Sequence, residues 1–221
     1  MFKWIKRILL AIGIVVVGFG VFGYFVNKNA YTNLPADGKP ILELPIDKKG
    51  KIPEQIMPMG ETINHEAKSG GHPGIDFQWY DGDDVKIYAS MDSEVTGIFR
   101  TEKTGLFDLA TRNGKWSVDY TELESVNPLL KIGSIIKVGE FVGVPNHPKN
   151  NYDDPKFRMI HWQFGYADKL SGTARIRLCP MIYFSPTAKA MIEQIWAETD
   201  WVEMKANAPE ICANYYKDRY E

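Results

Sequence analysis

Residues 85–166 hold a series of strand-length segments with no helix signal between them, and that pattern limits the fold more than any other feature. The segments are 85–90, 94–100, 106–112, 115–122, 140–144 and 158–166, several of them rich in β-branched or aromatic residues. Asn113-Gly114 separates two of them, a dipeptide that supplies the left-handed backbone a tight hairpin turn needs. Strands that follow one another this closely pair antiparallel and close into a sandwich or barrel, so the expected class is mainly β.

Helix enters late. Ser185 followed by Pro186 reads as an N-cap with proline at the first helical position, and a helix-forming stretch continues to about Met204. Ala188, Met191, Ile192, Ile195, Trp196 and Val202 make its apolar stripe, which is read as core packing. Residues 185–221 are therefore expected as a helical tail behind a β domain of residues 57–184. Ahead of that domain, residues 27–56 are polar and carry Pro35, Pro40, Pro45 and Pro53, the composition of an extended linker.

Residues 8–26 are uncharged and apolar, long enough to cross a hydrocarbon core of about 30 Å as a helix. Lys3, Lys6 and Arg7 precede them, so the positive-inside rule keeps the N-terminus in the cytoplasm and sends the rest across. The competing reading is a cleaved signal peptide, whose apolar core is usually only about 7–15 residues long. Residues 1–26 are expected as an uncleaved membrane anchor, with the domain in the periplasm or wall space. Export permits a disulfide between the two cysteines, Cys179 and Cys212, tying the tail to the domain; two free buried thiols are the alternative. The formal charge of −2 includes the three basic residues before the apolar run. The body beyond it is thus acidic and offers no footprint for nucleic acid.

Two constellations carry chemistry. In Gly71-His72-Pro73-Gly74-Ile75-Asp76-Phe77 an imidazole and a carboxylate stand four apart around a glycine. Such a loop can fold back on one cation, and both groups are ordinary zinc ligands. In 158–166 strand alternation sets Ile160, Trp162, Phe164 and Tyr166 on one face and Met159, His161 and Gln163 on the other. His161 can then complete a His/Asp/His site that leaves the fourth zinc position open for water or substrate.

Taken in order, these phrases resemble the M23 (LytM-type) zinc metallopeptidases. Residues 72–77 resemble that family's "HxGIDF", and 87–95 its "V.A..dG.V" strand. Gly133, Ile136, Gly139, Val142 and Gly143 resemble its later glycine pattern, and 159–163 its closing "HLHF" followed by Glu or Gln. The likeness covers about residues 57–166. It implies a LytM-type antiparallel β-sandwich, Zn2+ held by His72, Asp76 and His161, and a peptidoglycan stem peptide or cross-bridge as substrate. Both catalytic histidines of the family are replaced. The first of its H-x-H is Met159, and that of its "Y-x-H-L" is Glu122 within Tyr120-Thr121-Glu122-Leu123. Loop 145–157 is also longer than the family's glycine-rich turn.

Glu122 can act as a general base beside zinc-bound water, with Tyr120, expected on the same strand face, as a hydrogen-bond donor. The resemblance thus implies one of two things: a wall peptidase with variant catalytic residues, or an inactive module that binds peptidoglycan or regulates another wall hydrolase. His65 and His147 lie in loops near the motifs; they read as surface histidines, with replacement of a missing catalytic histidine as the alternative. Trp79 and Tyr80 read as groove or core aromatics.

Overall fold

The computed structural model describes residues 13, 15, 17, 18, 38–47, 49–148, 154–167 and 175–217. Apart from four positions, the apolar segment 8–26 lies outside the described residues, as does 149–153 of the long loop. Among the described residues no helix is long and apolar enough to cross a membrane.

The described chain is mainly antiparallel β, as its strand spacing requires. In chain order the strands are β1 Gln55–Met57, β2 Ile75–Trp79, β3 Ile87–Tyr88, β4 Ser93–Arg100, β5 Phe107–Asn113, β6 Trp116–Val126, β7 Ile135–Ile136, β8 Phe141–Pro145, β9 Arg158–Ala167 and β10 Arg175–Arg177. They run across the sheet as β1-β2-β9-β6-β5-β4-β7, with β10 on β9 and β8 joining β6 to β3. The β5–β6 hairpin turns at Gly114, φ 58°, where the Asn-Gly signal placed it.

Alternation decides which side of each central strand is dry. Ile75, Phe77 and Trp79 of β2 and Ile160, Trp162 and Phe164 of β9 point into the core, where burying such side chains contributes roughly 1.5–3 kcal/mol each. The opposite faces of the same strands present Asp76 and Gln78, and Met159, His161 and Gln163. Trp79 belongs wholly to the core, its indole N–H donating to the Lys51 carbonyl at 3.1 Å. Tyr80 packs edge-on against Phe157 and donates its hydroxyl to Gln55 Oε1 at 2.8 Å.

Three expectations need correction. Residues 41–46 and β1 are not linker. Leu42, Leu44 and Ile46 are buried in the same core as the sheet, and Leu42 and Ile46 make single β-bridges to Phe184 and Ile87. The prolines there bound a short alternating segment whose apolar side chains face inward.

The C-terminal helix, secondly, is not continuous. α1, Pro186–Glu198, is capped by Ser185 Oγ accepting from Ala188 N–H. It stops where the Thr199 hydroxyl donates to the Ile195 carbonyl at 2.8 Å. A short α2, Val202–Asn207, then restarts. The break turns Val202 out of the stripe to 79% exposure, while Ala188, Ile192 and Ile195 remain in the core. The third correction concerns Tyr120, treated with the site below.

The tail closes with α3, Asn214–Lys217, and Ile211, Cys212 and Tyr216 join the common core. Cys179 and Cys212 form a disulfide across 33 residues of sequence, so the tail is part of the folded body.

Candidate metal centre

The site is assembled by strand register. Asp76 on β2 and His161 on β9 are direct cross-strand partners with side chains on the same face. His72 arrives from the loop before β2, pinned by its N–H to the Glu61 carbonyl at 2.8 Å and by its carbonyl to Gly60 N–H at 2.8 Å. Two glycines allow that approach. Gly71 has φ 73°, and a Cβ there would lie 2.5 Å from the Glu61 carbonyl oxygen. A Cβ on Gly74 would lie 2.5 Å from the Trp162 carbonyl oxygen.

Three atoms then converge. His72 Nε2 lies 2.8 Å from His161 Nδ1 and 3.1 Å from Asp76 Oδ1, and His161 Nδ1 lies 2.6 Å from Asp76 Oδ1. Among the described residues this is the one group of three or more such side chains whose ligand atoms all lie within 4.8 Å of one another. Tetrahedral zinc with ligands at about 2.0–2.2 Å separates them by about 3.3 Å, so a small outward relaxation fits the ion.

The surrounding groups favour the same occupant. His72 is 1% exposed, and its Nδ1–H donates to the Pro58 carbonyl at 3.1 Å, which leaves Nε2 bare toward the centre. His161 Nε2 meets the Gln163 side-chain amide, whose Oε1 is otherwise buried without a partner. The amide nitrogen faces the ring here; turning the amide over would bring the oxygen to accept Nε2–H and leave Nδ1 bare as well. The His72 tautomer is thus set for metal ligation.

Charge supports the donor set. Burial works against the Asp76 carboxylate, yet the His72 and His161 imidazoles outweigh it and hold its pKa well below the ordinary carboxylate range. Burial likewise opposes a charged His72, but Asp76, with the Pro58 carbonyl and Glu61, raises its pKa on balance.

The triad floors a groove of about 570 Å3 whose walls include His65, Gln78, Glu122, Met159 and Trp201. Trp201 comes from the junction of α1 and α2, so the tail walls the groove. Glu122 reaches it through a bulge. Between Leu109↔Tyr120 and Phe107↔Leu123, β6 advances three residues while β5 advances two. Glu122 takes the extra place in a left-handed conformation, φ 63°, its N–H bonded to Asp108 Oδ1 at 3.1 Å. Partial desolvation by the groove walls, then repulsion from Asp76, raises its pKa, with His161 opposing.

Tyr120 lies before the bulge, paired with Trp162, and stays with Trp116 and Val118 on the core face while the bulge carries Glu122 alone to the groove. Tyr120 is fully buried on the core side, where its hydroxyl oxygen accepts the Ser90 N–H at 2.7 Å and burial pushes its pKa up to about 12. Even spacing places Tyr120 and Glu122 on one face only in a regular strand, and β6 is not regular there. Tyr120→Phe is expected to lower stability by about 1–3 kcal/mol, because the buried Ser90 N–H loses its acceptor, and to leave zinc affinity unchanged. Urea unfolding and zinc titration measure the two effects separately.

The other candidates separate cleanly. Met159 lines the groove but offers only a thioether, a poor partner for zinc in an O/N site. His147 is occupied by loop structure, Nε2 lying 2.8 Å from the Asp154 carbonyl. His65 is in the groove, bonded through Nδ1 to Glu61 at 2.8 Å. Its signal was present in the sequence: Glu61 and His65 stand four apart, as His72 and Asp76 do.

No family model matches the sequence, and no curated protein matches it. Solved structures with similar chain course include Helicobacter pylori Csd3 (17% identity, TM-score 0.42, covering 70% of this chain and 40% of that one). The antimicrobial peptidase lysostaphin from Staphylococcus simulans is similar at 19% identity and TM-score 0.42, covering 65% and 50%. A zinc-containing peptidase from Vibrio cholerae is similar at 17% identity and TM-score 0.45, covering 63% and 39%. The chain spans half or less of the length of each of these structures.

Proposed function

We propose that the protein is a membrane-anchored zinc metallopeptidase of the LytM type, cutting peptide bonds in peptidoglycan with Glu122 as general base. The observation that carries this reading is the convergence of His72 Nε2, Asp76 Oδ1 and His161 Nδ1 at the floor of an open groove with Glu122 on its wall. Three protein ligands and an accessible fourth side are the arrangement of a catalytic zinc. Zinc held there supplies Lewis acidity toward a peptide carbonyl and a water acidic enough to be deprotonated near neutral pH. Glu122 takes the proton of that water at its carboxylate and returns it to the departing amine. Its left-handed backbone holds the carboxylate on the groove side of β6, at a cost of about 1–3 kcal/mol in strain. The substrate class rests on the motif resemblance of residues 72–77 and 159–163, and the anchor on residues 8–26.

Zinc-loaded protein, purified in detergent, would be incubated with isolated sacculi and the released fragments weighed by mass spectrometry. Glu122→Gln is expected to retain zinc and to slow release by roughly 10²–10⁴-fold. Turnover equal to wild type in that variant would remove Glu122 from the mechanism.

One observation favours a second reading. Met159 stands in the groove with no group that can donate a hydrogen bond or move a proton, which suits a module that grips peptidoglycan or regulates a wall hydrolase without cutting. Zinc-dependent sacculus binding with no fragments released would select it.

A further inference from the structure

The mechanism above leaves unused a hydrogen-bonded Glu–His pair beside the centre. Glu61 is 0% exposed on the turn after β1, and a buried carboxylate is expensive unless its oxygens are hydrogen-bonded. Both are. Oε1 accepts the Asn64 N–H at 2.6 Å, and Oε2 accepts from His65 Nδ1 at 2.8 Å. That second bond fixes the His65 tautomer, with its proton on Nδ1 and Nε2 left as an acceptor. The ring packs 4.6 Å from that of His72 and lines the groove. His65 is not a fourth ligand, since the convergent group holds only His72, Asp76 and His161.

Sheet order gives the pair its place. His65 hangs from the β1–β2 connection, Glu122 from β6, and the strands between them, β2 and β9, carry Asp76 and His161. A peptide laid across the centre passes between His65 on one flank and Glu122 on the other. Met159, on the floor strand β9, has no acceptor nitrogen to offer such a peptide.

We infer that His65, oriented by the buried Glu61, is a second substrate-contacting residue of this groove, its Nε2 accepting a backbone N–H of the bound peptide on the flank opposite Glu122. The inference rests on the peptide-binding reading of the groove, and holds whether or not the peptide is cut. A turn-capping role for Glu61 alone does not require His65: the Asn64 N–H already supplies the local bond.

The test uses the full zinc-loaded chain with sacculi as the probe. His65→Phe keeps a ring against His72 and removes both nitrogens. Fragment release at limiting sacculi is expected to fall about tenfold, with zinc per chain and melting temperature unchanged. If the buried Glu61, deprived of its partner, lowers the melting temperature, the pair Glu61→Gln/His65→Phe neutralises it and is read in the same way. Release within twofold of wild type overturns the inference, as does a deficit that tracks zinc loss and is cured by added zinc. If wild type releases no fragments, the hydrolytic reading fails and co-sedimentation with sacculi decides. Binding weakened about tenfold by His65→Phe supports the contact, and binding within twofold of wild type overturns it.

Discussion

His161→Ala is expected to strip the metal from the protein, with zinc per chain after gel filtration falling from about one to near zero. Loss of an outer-shell partner typically weakens metal binding about 10–100-fold, and removal of a direct ligand from a three-ligand site exceeds that. The register makes the case specific. Asp76 and His161 are cross-strand partners, so removing the imidazole leaves a carboxylate and one histidine on a loop, with no other donor among the described residues converging on the vacancy. His161 points to the groove and away from the core, so the fold survives the change. Asp76→Ala is expected to do the same by a different route, since it removes the one anionic ligand and leaves two neutral imidazoles. Fragment release from sacculi should vanish in both variants. If either kept zinc at wild-type affinity in a competition titration, the ion would sit elsewhere and the proposed centre would fall.

Much of this was legible because two periodicities were intact. β9 alternates without a bulge from Met159 to Phe164, so its dry and wet faces, and the placement of His161, follow from counting by two. The hairpin at Gly114 follows from a dipeptide that tolerates positive φ. What escaped reading had physical causes of a different kind. The face of Glu122 relative to Tyr120 depended on a one-residue bulge, and Glu122 carries no glycine-like signature to announce its left-handed backbone. Residues 41–46 alternate, but Pro40 and Pro45 disguise a segment whose pairing partners, Phe184 and Ile87, lie far away in sequence. Strands of two or three residues, such as β7 and β10, are set by their neighbours. The helix break at Thr199 depends on a hydroxyl that also receives the Ile56 N–H of β1 at 3.4 Å, a contact from the other end of the domain.

The Cys179–Cys212 disulfide is expected to matter to the metal as well as to the fold. It closes a loop across 33 residues, which in the chain-entropy account contributes about 3–4 kcal/mol. Its second effect follows the hydrogen bonds outward. Cys212 bridges Met59, whose N–H donates to the Ile211 carbonyl and whose carbonyl accepts from Ala213, both at 2.9 Å. Met59 follows Pro58, and the Pro58 carbonyl holds His72 Nδ1. On the far side the Tyr216 hydroxyl reaches the Gly71 carbonyl at 3.4 Å. The tail therefore clasps both ends of the loop that presents His72, and the disulfide anchors the clasp to the turn after β10. Cys179→Ala/Cys212→Ala is the better test, because thiol reductants bind zinc themselves. In urea unfolding it should lose about 3–4 kcal/mol. At a temperature where both proteins remain folded, its zinc affinity should fall about 10–100-fold, the range for releasing an outer-shell partner. Stability lost with zinc affinity unchanged would confine the disulfide to holding the tail, and would mean that the Pro58–His72 bond is secured by the β-sheet alone.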